Sequence, residues 1–198
     1  AKAFAAEGAQ VVITGRRRTV VDHAVQEIGF GAFGIDGDVA DPAHHAHVAE
    51  EVTRRFGPLD IYMANAGVNQ ITHSAEVSEA EYDMQFGINA RGVFFGVQKM
   101  APILRDGGAI ILVGSLASEK VLAGHAVYAG SKAAIAAFAR SWAIELKDRG
   151  IRVNVLSPGP VDTAKDRIQP VMNAAADLQK AHPEMHIAEF GQASADHV

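Results

Sequence analysis

Five short runs of aliphatic and β-branched residues, each separated from the next by a segment of helical length, limit what this chain can fold into. They are AQVVIT (9–14), AFGID (32–36), LDIYMA (59–64), AIILVG (109–114) and IRVNVL (151–156). Strands that are apolar on both faces and separated by helices belong to a parallel sheet covered on both sides. The expectation is an α/β chain built as a three-layer, doubly wound parallel sheet. With 198 residues, 48 % of them hydrophobic and 21 % charged, the chain is long enough for one substantial core, and one domain over 1–198 is expected.

The helix punctuation agrees with this alternation. Asp41-Pro42 reads as an N-cap followed by proline at the first helical position, and Ser78 with Glu81 reads as a capping box. Gly8, Gly57 and Gly150 each sit where a helix should end before a strand. From Ala164 onward the pattern turns helical and polar, and a flap is expected over about 164–190. There is no internal repeat or low-complexity tract.

Charge and composition exclude several classes of partner. The net charge of -5 and pI near 6 leave no basic field for nucleic acid, and the run Arg16 to Arg18 is too short to make one. Zero cysteines exclude disulfides, thiolate metal sites and cysteine nucleophiles, and fit a reducing compartment. The longest apolar runs are far too short to span a bilayer, and no signal-like segment opens the sequence. The expectation is a cytoplasmic protein with no membrane partner.

In doubly wound sheets, ligands bind beyond the carboxyl ends of the strands. Those ends read TGRRR, GDVAD, NAG, GSLAS and SPGPVDT in turn. Between the fourth and fifth lies AVYAGSKAAIAAFARSWAIEL (126–146), in which Tyr128 and Lys132 are four apart and so project from one helical face. A free tyrosine titrates near pH ~10, so it exchanges protons poorly at neutrality unless a cation stabilises its phenolate. A lysine one turn away is such a cation. Taken alone, the spacing is equally that of an exposed pair worth about 0.3 kcal/mol.

Asp38-Val39, Asn65-Ala66-Gly67, Asn89, Ser115, the Tyr128 to Lys132 pair and SPGPVDT (157–163) together make the chain resemble the short-chain dehydrogenase/reductase family. The likeness runs from the first residue to about Thr163, and Ser115 precedes Tyr128 by thirteen residues, as in that family. The resemblance implies a Rossmann fold and an oxidoreductase that interconverts a ketone or aldehyde and an alcohol by direct hydride transfer. It makes Tyr128 the general acid/base. Lys132 stabilises its phenolate and holds the nicotinamide ribose, Ser115 polarises the substrate oxygen, and Asn89 positions a water that relays protons to Lys132. The chemistry suits these side chains, since a carbonyl that receives hydride becomes an alkoxide whose charge must be held and then protonated. The small residues Ala129, Gly130 and Ser131 are read as permitting close approach, with Gly130 costing about 1 kcal/mol of helix propensity.

The same resemblance distributes the cofactor contacts. Members that prefer NAD(H) place an acidic residue where Gly15 stands, whereas Arg16 follows here, so NADP(H) is favoured with Arg16 and Arg17 on the 2′-phosphate. Asp38 and Val39 would flank the adenine, and Asn65, Ala66 and Gly67 would line the cofactor cleft. Pro158 and Gly159 would shape a turn past the nicotinamide, and Val161 and Thr163 would meet its carboxamide and the phosphates. Ser115, Ala117, Leu122 and Tyr128 would form a mostly apolar substrate pocket, with His125 read as a surface loop histidine. The alternatives are an NAD-dependent alcohol dehydrogenase of the same family and a non-catalytic nucleotide-binding protein on the same fold. The expected partners are a small carbonyl or alcohol substrate and further copies of the chain in a homotetramer or homodimer.

His44, His45 and His47 with Glu51 have metal-ligand spacing, but on a polar helix away from the strand ends they are read as a solvated face, and no metal is expected. Ile135, Phe138 and Trp142 form a helical stripe read as core or subunit interface. The sequence departs from the family at both ends. The glycine-rich turn T-G-x-x-x-G-x-G and its strand are absent, AKAFAAEGAQ resembles the second half of the helix that follows that turn, and EFGQASADHV resembles the approach to a further helix and last strand. The absent strand would lie between AQVVIT and LDIYMA, so two half-sheets with exposed central edges are expected, from a chain incomplete at both ends.

Overall fold

The computed structural model describes residues 1–120 and 122–159; the expected flap, Val161 and Thr163 lie outside the described residues. The chain divides after Leu156 into two units, and the architecture below is that of the first, Ala1–Leu156. Five strands alternate with helices in the expected order: α1 (Lys2–Ala6), β1 (Val12–Gly15), α2 (Arg18–Ile28), β2 (Phe33–Asp36), α3 (Pro42–Phe56), β3 (Leu59–Ala64), α4 (Glu79–Phe86), α5 (Gly92–Met100), β4 (Leu104–Val113), α6 (Ala126–Glu145) and β5 (Arg152–Leu156).

Every ladder is parallel, as the unalternating strands require. β1 pairs with β2 from Val12↔Phe33 to Gly15↔Asp36, while β3, β4 and β5 form a second sheet with β4 at its centre. The two half-sheets expected from the sequence are therefore present. β4 begins five residues before the run AIILVG, because Leu59 pairs with Leu104 but Ile61 pairs with Ala109. The surplus residues make a bulge, in which Gly107 takes a left-handed φ of 80°.

Helix capping follows the sequence with one difference. The Asp41 carboxylate accepts the Ala43 N–H at 2.9 Å with Pro42 in the first turn, and the Ser78 hydroxyl accepts the Glu81 N–H at 3.2 Å. The Glu81 carboxylate accepts from Gln85 Nε2 at 3.4 Å. Ser78 thus caps as expected, and the carboxylate of the expected box is engaged one turn further into its own helix.

Two clusters of buried side chains hold the unit together. The larger joins Val93 and Val97 of α5, Ile110 and Leu112 of β4, and Ile135 and Trp142 of α6, with Ile110, Leu112 and Ile135 wholly inaccessible. Ile135 and Trp142 are thereby core, and the Phe138 ring forms a three-ring cluster with Phe94 and Trp142. The smaller cluster sets Ile35, Val48, Val52 and Met100 against Val12, Phe33, Leu59 and Tyr62. It links the two sheets through α3 and α5, where no strand pairing does so among the described residues. Side chains alternate across a strand. Tyr62 and Ala64 of β3 therefore face this helical layer, while Ile61 and Met63 are 44 % and 40 % exposed on the opposite face.

The solvated reading of the α3 histidines is corrected at two of the three positions. His47 is exposed, but His44 and His45 are 7 % and 5 % exposed, because the layer of α3 against α5 turns them inward. Glu51 is engaged by Arg54 at 2.6 Å and Arg55 at 2.9 Å, whose hydrogen bonds hold its carboxyl down at about 2. No metal-holding cluster exists among the described residues.

Gly130 does not need to be glycine for packing within this unit. A methyl group there would meet the Phe86 ring at 3.6 Å, an ordinary contact. Gly130→Ala is therefore expected to stabilise the fold by about 1 kcal/mol, the interior-helix cost of glycine, measured by denaturant unfolding.

Candidate active site

Asn89 organises the carboxyl end of the larger sheet. α4 runs into α5 through one π-helical turn, Gly87–Arg91, and Asn89 lies inside that turn, wholly buried. Its Oδ1 accepts the Val68 N–H at 2.9 Å, and its Nδ2 donates to the Val68 carbonyl at 2.9 Å and to Ser131 Oγ at 3.0 Å. The polar atoms of the side chain are thus committed to the loop after β3 and to α6. The Ser131 hydroxyl, also inaccessible, donates in turn to the Tyr128 carbonyl at 2.7 Å. Sequence reading took Ser131 as a small spacer; the structure makes it a polar link between Asn89 and the first turn of the Tyr128 helix.

Lys132 is 4 % exposed and donates from Nζ to the Val113 carbonyl at 2.8 Å, at the end of β4. Burial pushes its ammonium down from 10.5 to about 8. The loop after β3 passes directly over it. A Cβ on Gly67 would come within 3.1 Å of Nζ and 3.3 Å of Asn89 Oδ1, so glycine lets the backbone lie this close to both without displacing either side chain. Gly67, Asn89 and Lys132 therefore meet at one point. Tyr128 is half-buried one turn earlier on α6, with the His125 ring edge-on at 6.3 Å. His125 is only 5 % exposed, with Nδ1 3.2 Å from the Ala123 carbonyl, which corrects its reading as a surface histidine.

Ser115 follows β4 in extended backbone, and its Oγ accepts the Ala117 N–H at 3.1 Å. That bond uses the oxygen and leaves the hydroxyl proton for another acceptor. The Ser118 hydroxyl donates to the Ser115 carbonyl at 2.7 Å and closes the turn. Ala117 and Leu122 are half-buried nearby in sequence.

The remaining expected contacts fall at the ends of the other strands. Asn65 and Ala66 line, with Thr14, Val39 and Tyr62, a cavity of about 60 Å³. Asp38 Oδ1 accepts the Ala40 N–H at 2.9 Å and forms a tight turn after β2. Arg16 and Arg17 are exposed at the end of β1 and make no ion pair among the described residues, whereas Arg18 is held by Asp22 and Asp36. A side chain on Gly15 would meet Val21 at 3.0 Å, so the end of β1 resists a larger residue. Pro158 and Gly159 belong to the second unit.

The Lys132 site makes stability depend on pH in a definite direction. The folded chain binds this proton more weakly than the unfolded one, so the penalty for burying the charge is full below about pH 8 and fades as pH approaches 10.5. Lys132→Met is expected to unfold with a free energy about 2 kcal/mol above wild type at pH 7, with the gap closing toward the upper limit, read by urea titrations across that range.

Comparison with known proteins places this geometry. The family model described as "Enoyl-(Acyl carrier protein) reductase" matches residues 1–194. Versicolorin reductase 1 of Aspergillus parasiticus is 39 % identical over 168 residues, covering 82 % of this chain and 64 % of that protein. Tetrahydroxynaphthalene reductase of Pyricularia oryzae is 39 % identical over 141 residues, covering 71 % of this chain and 50 % of its own length. The chain thus spans between half and two thirds of these relatives. Among solved structures, a short-chain dehydrogenase/reductase from Serratia marcescens superposes with a TM-score of 0.80 at 34 % identity, covering 84 % of this chain and 70 % of that one. A blue fluorescent protein from a metagenomic library, in complex with NADPH, gives 0.76 at 36 %, covering 80 % and 67 %.

Proposed function

This chain belongs to the short-chain dehydrogenase/reductase family, and from that membership and the site geometry we propose that it serves as an NADP(H)-dependent oxidoreductase interconverting a ketone or aldehyde and an alcohol. The observation that carries this reading is the buried Lys132, one helical turn from Tyr128 and directly beneath Gly67. A buried cation fixed beside a tyrosine is costly unless it serves a charge that forms during reaction.

The residues fit a nicotinamide dinucleotide. Gly67 leaves the backbone thin over the Lys132 ammonium, whose Nζ has donors beyond the one given to Val113, and the exposed Arg16 and Arg17 offer guanidinium donors for a 2′-phosphate. Gly15 itself carries no carboxylate to hold a ribose hydroxyl. The NADPH in the complex of the metagenomic relative is consistent with this preference. When bound, the cofactor supplies or accepts the hydride.

The chain's own side chains handle the proton and the charge. In the reducing direction the Ser115 hydroxyl proton polarises the carbonyl oxygen, and Tyr128 Oη gives its proton to that oxygen as the carbon receives hydride. The phenolate left behind is stabilised by the Lys132 ammonium. Asn89 holds the loop after β3 and, through Ser131, the backbone of Tyr128, so the proton donor keeps its place relative to that loop. Ala117 and Leu122 supply apolar walls for a small organic substrate. In the oxidising direction the same proton returns from the alcohol to Tyr128.

Tyr128→Phe is expected to lower turnover at least ~10³-fold while NADPH affinity stays within about threefold, measured by carbonyl-dependent NADPH consumption and fluorescence titration. Normal turnover in that variant would overturn the mechanism. Arg16→Ala is expected to weaken NADPH binding ~10-fold or more and leave NADH binding unchanged. Tighter binding of NADH than of NADPH by the unaltered chain would instead support the NAD-dependent reading.

A further inference from the structure

The turn after β2, which the cofactor reading above assigns to the adenine, is held from beneath by residues that no sequence motif marked. His45 Nε2 lies 2.8 Å from the Val39 carbonyl. A carbonyl only accepts, so Nε2 carries the proton, and the neutral imidazole that burial favours is the Nε2–H tautomer. The next carbonyl, that of Ala40, accepts from the Arg91 guanidinium, whose plane also lies over the Phe95 ring at 5.3 Å. Gly92, beside Arg91, completes the support. A Cβ there would stand 2.7 Å from the Val39 oxygen, so only glycine lets the turn settle against α5.

Three neighbouring groups thus fix two successive carbonyls of one tight turn. The Asp38 carboxylate closes the same turn from the other side by accepting the Ala40 N–H. Room for the imidazole comes from Gly96, whose Cβ would lie 3.2 Å from His45 Cε1 and would strike the Tyr62 hydroxyl. His45 also lines the small cavity shared by Thr14, Asn65 and Ala66. Its hydrogen bond and that of Arg91 hold the backbone of the turn.

We propose that His45 and Arg91 are positioning residues for the adenine half of the dinucleotide, fixing the Asp38–Ala40 turn through the Val39 and Ala40 carbonyls. The proposal rests on the reading of Asp38 and Val39 as flanking the adenine. It gives the π-helical turn a double duty. Asn89 serves the proton-transfer end of the site, and Arg91, two residues on, serves the adenine end from the same turn.

The test uses adenosine 2′,5′-bisphosphate, which carries only the adenine half, and reduced nicotinamide mononucleotide, which carries only the other, each titrated calorimetrically against wild type, His45→Leu, His45→Gln and Arg91→Met. His45→Leu and Arg91→Met should each weaken the adenosine probe at least ~10-fold and leave the mononucleotide unchanged. His45→Gln, which can keep an N–H near Nε2, should recover most of the loss. In the free protein, Arg91→Met should also raise amide exchange at Ala40 and Asp41. Should His45→Leu fail to fold, the exposed Arg91 variant carries the same comparison. Wild-type affinity for the adenosine probe in both variants would overturn the positioning role alone, and equal loss of both probes would reduce it to general stability. A wild-type protein that does not bind the adenosine probe would overturn the adenine reading itself.

Discussion

The inaccessible Asn89 side chain is the tie on which the site geometry depends. Burying an amide side chain such as that of Asn89 without hydrogen-bond partners would cost on the order of several kcal/mol. Here its polar atoms are taken up by Val68 and Ser131. That arrangement joins three segments far apart in sequence: the loop after β3, the π turn and the first two turns of α6. Tyr128 and Lys132 stand on the last of these. Their placement relative to Gly67 follows from the tie more than from the apolar packing of α6, whose core contacts lie further along at Ile135, Ala139 and Trp142.

Lys132 shows what this arrangement makes possible. An ammonium at 4 % exposure is tolerated because the Val113 carbonyl accepts one of its protons, while burial lowers its affinity for the proton. The same burial that weakens the fold near neutrality excludes water from a charge that can answer a phenolate, where low dielectric makes the interaction stronger. Local instability and chemical usefulness have one cause at this residue.

The two half-sheets place this site at a junction. β1 and β2 carry the Gly15, Arg16 and Asp38 end, and β3, β4 and β5 carry Gly67, Ser115 and, through the following helix, Tyr128. The link between them among the described residues is the helical layer of α3 and α5, where Val48, Val52 and Met100 belong to a cluster that takes in side chains of both sheets. His44, whose Nε2 has no hydrogen-bond partner among the described residues, and His45 lie in this same layer.

Local rules determined much of this protein from sequence alone. The order of strands and helices, their parallel pairing, the caps at Asp41 and Ser78, and the shared face of Tyr128 and Lys132 all follow from periodicity and side-chain chemistry within a few residues. The likeness of strand-end motifs added the family. What lay beyond reach depended on contacts between distant segments. His44, His45 and His125 read as polar and solvated because nothing nearby in sequence announces the helix or ring that covers them. Ser131 looked like a spacer because its partner Asn89 is 42 residues away. The bulge that lengthens β4 is set by its register against β3. Sequence decides which groups a segment can offer; the tertiary structure decides which of them lose water, and burial is what turns a histidine, a serine or a lysine into a specific partner.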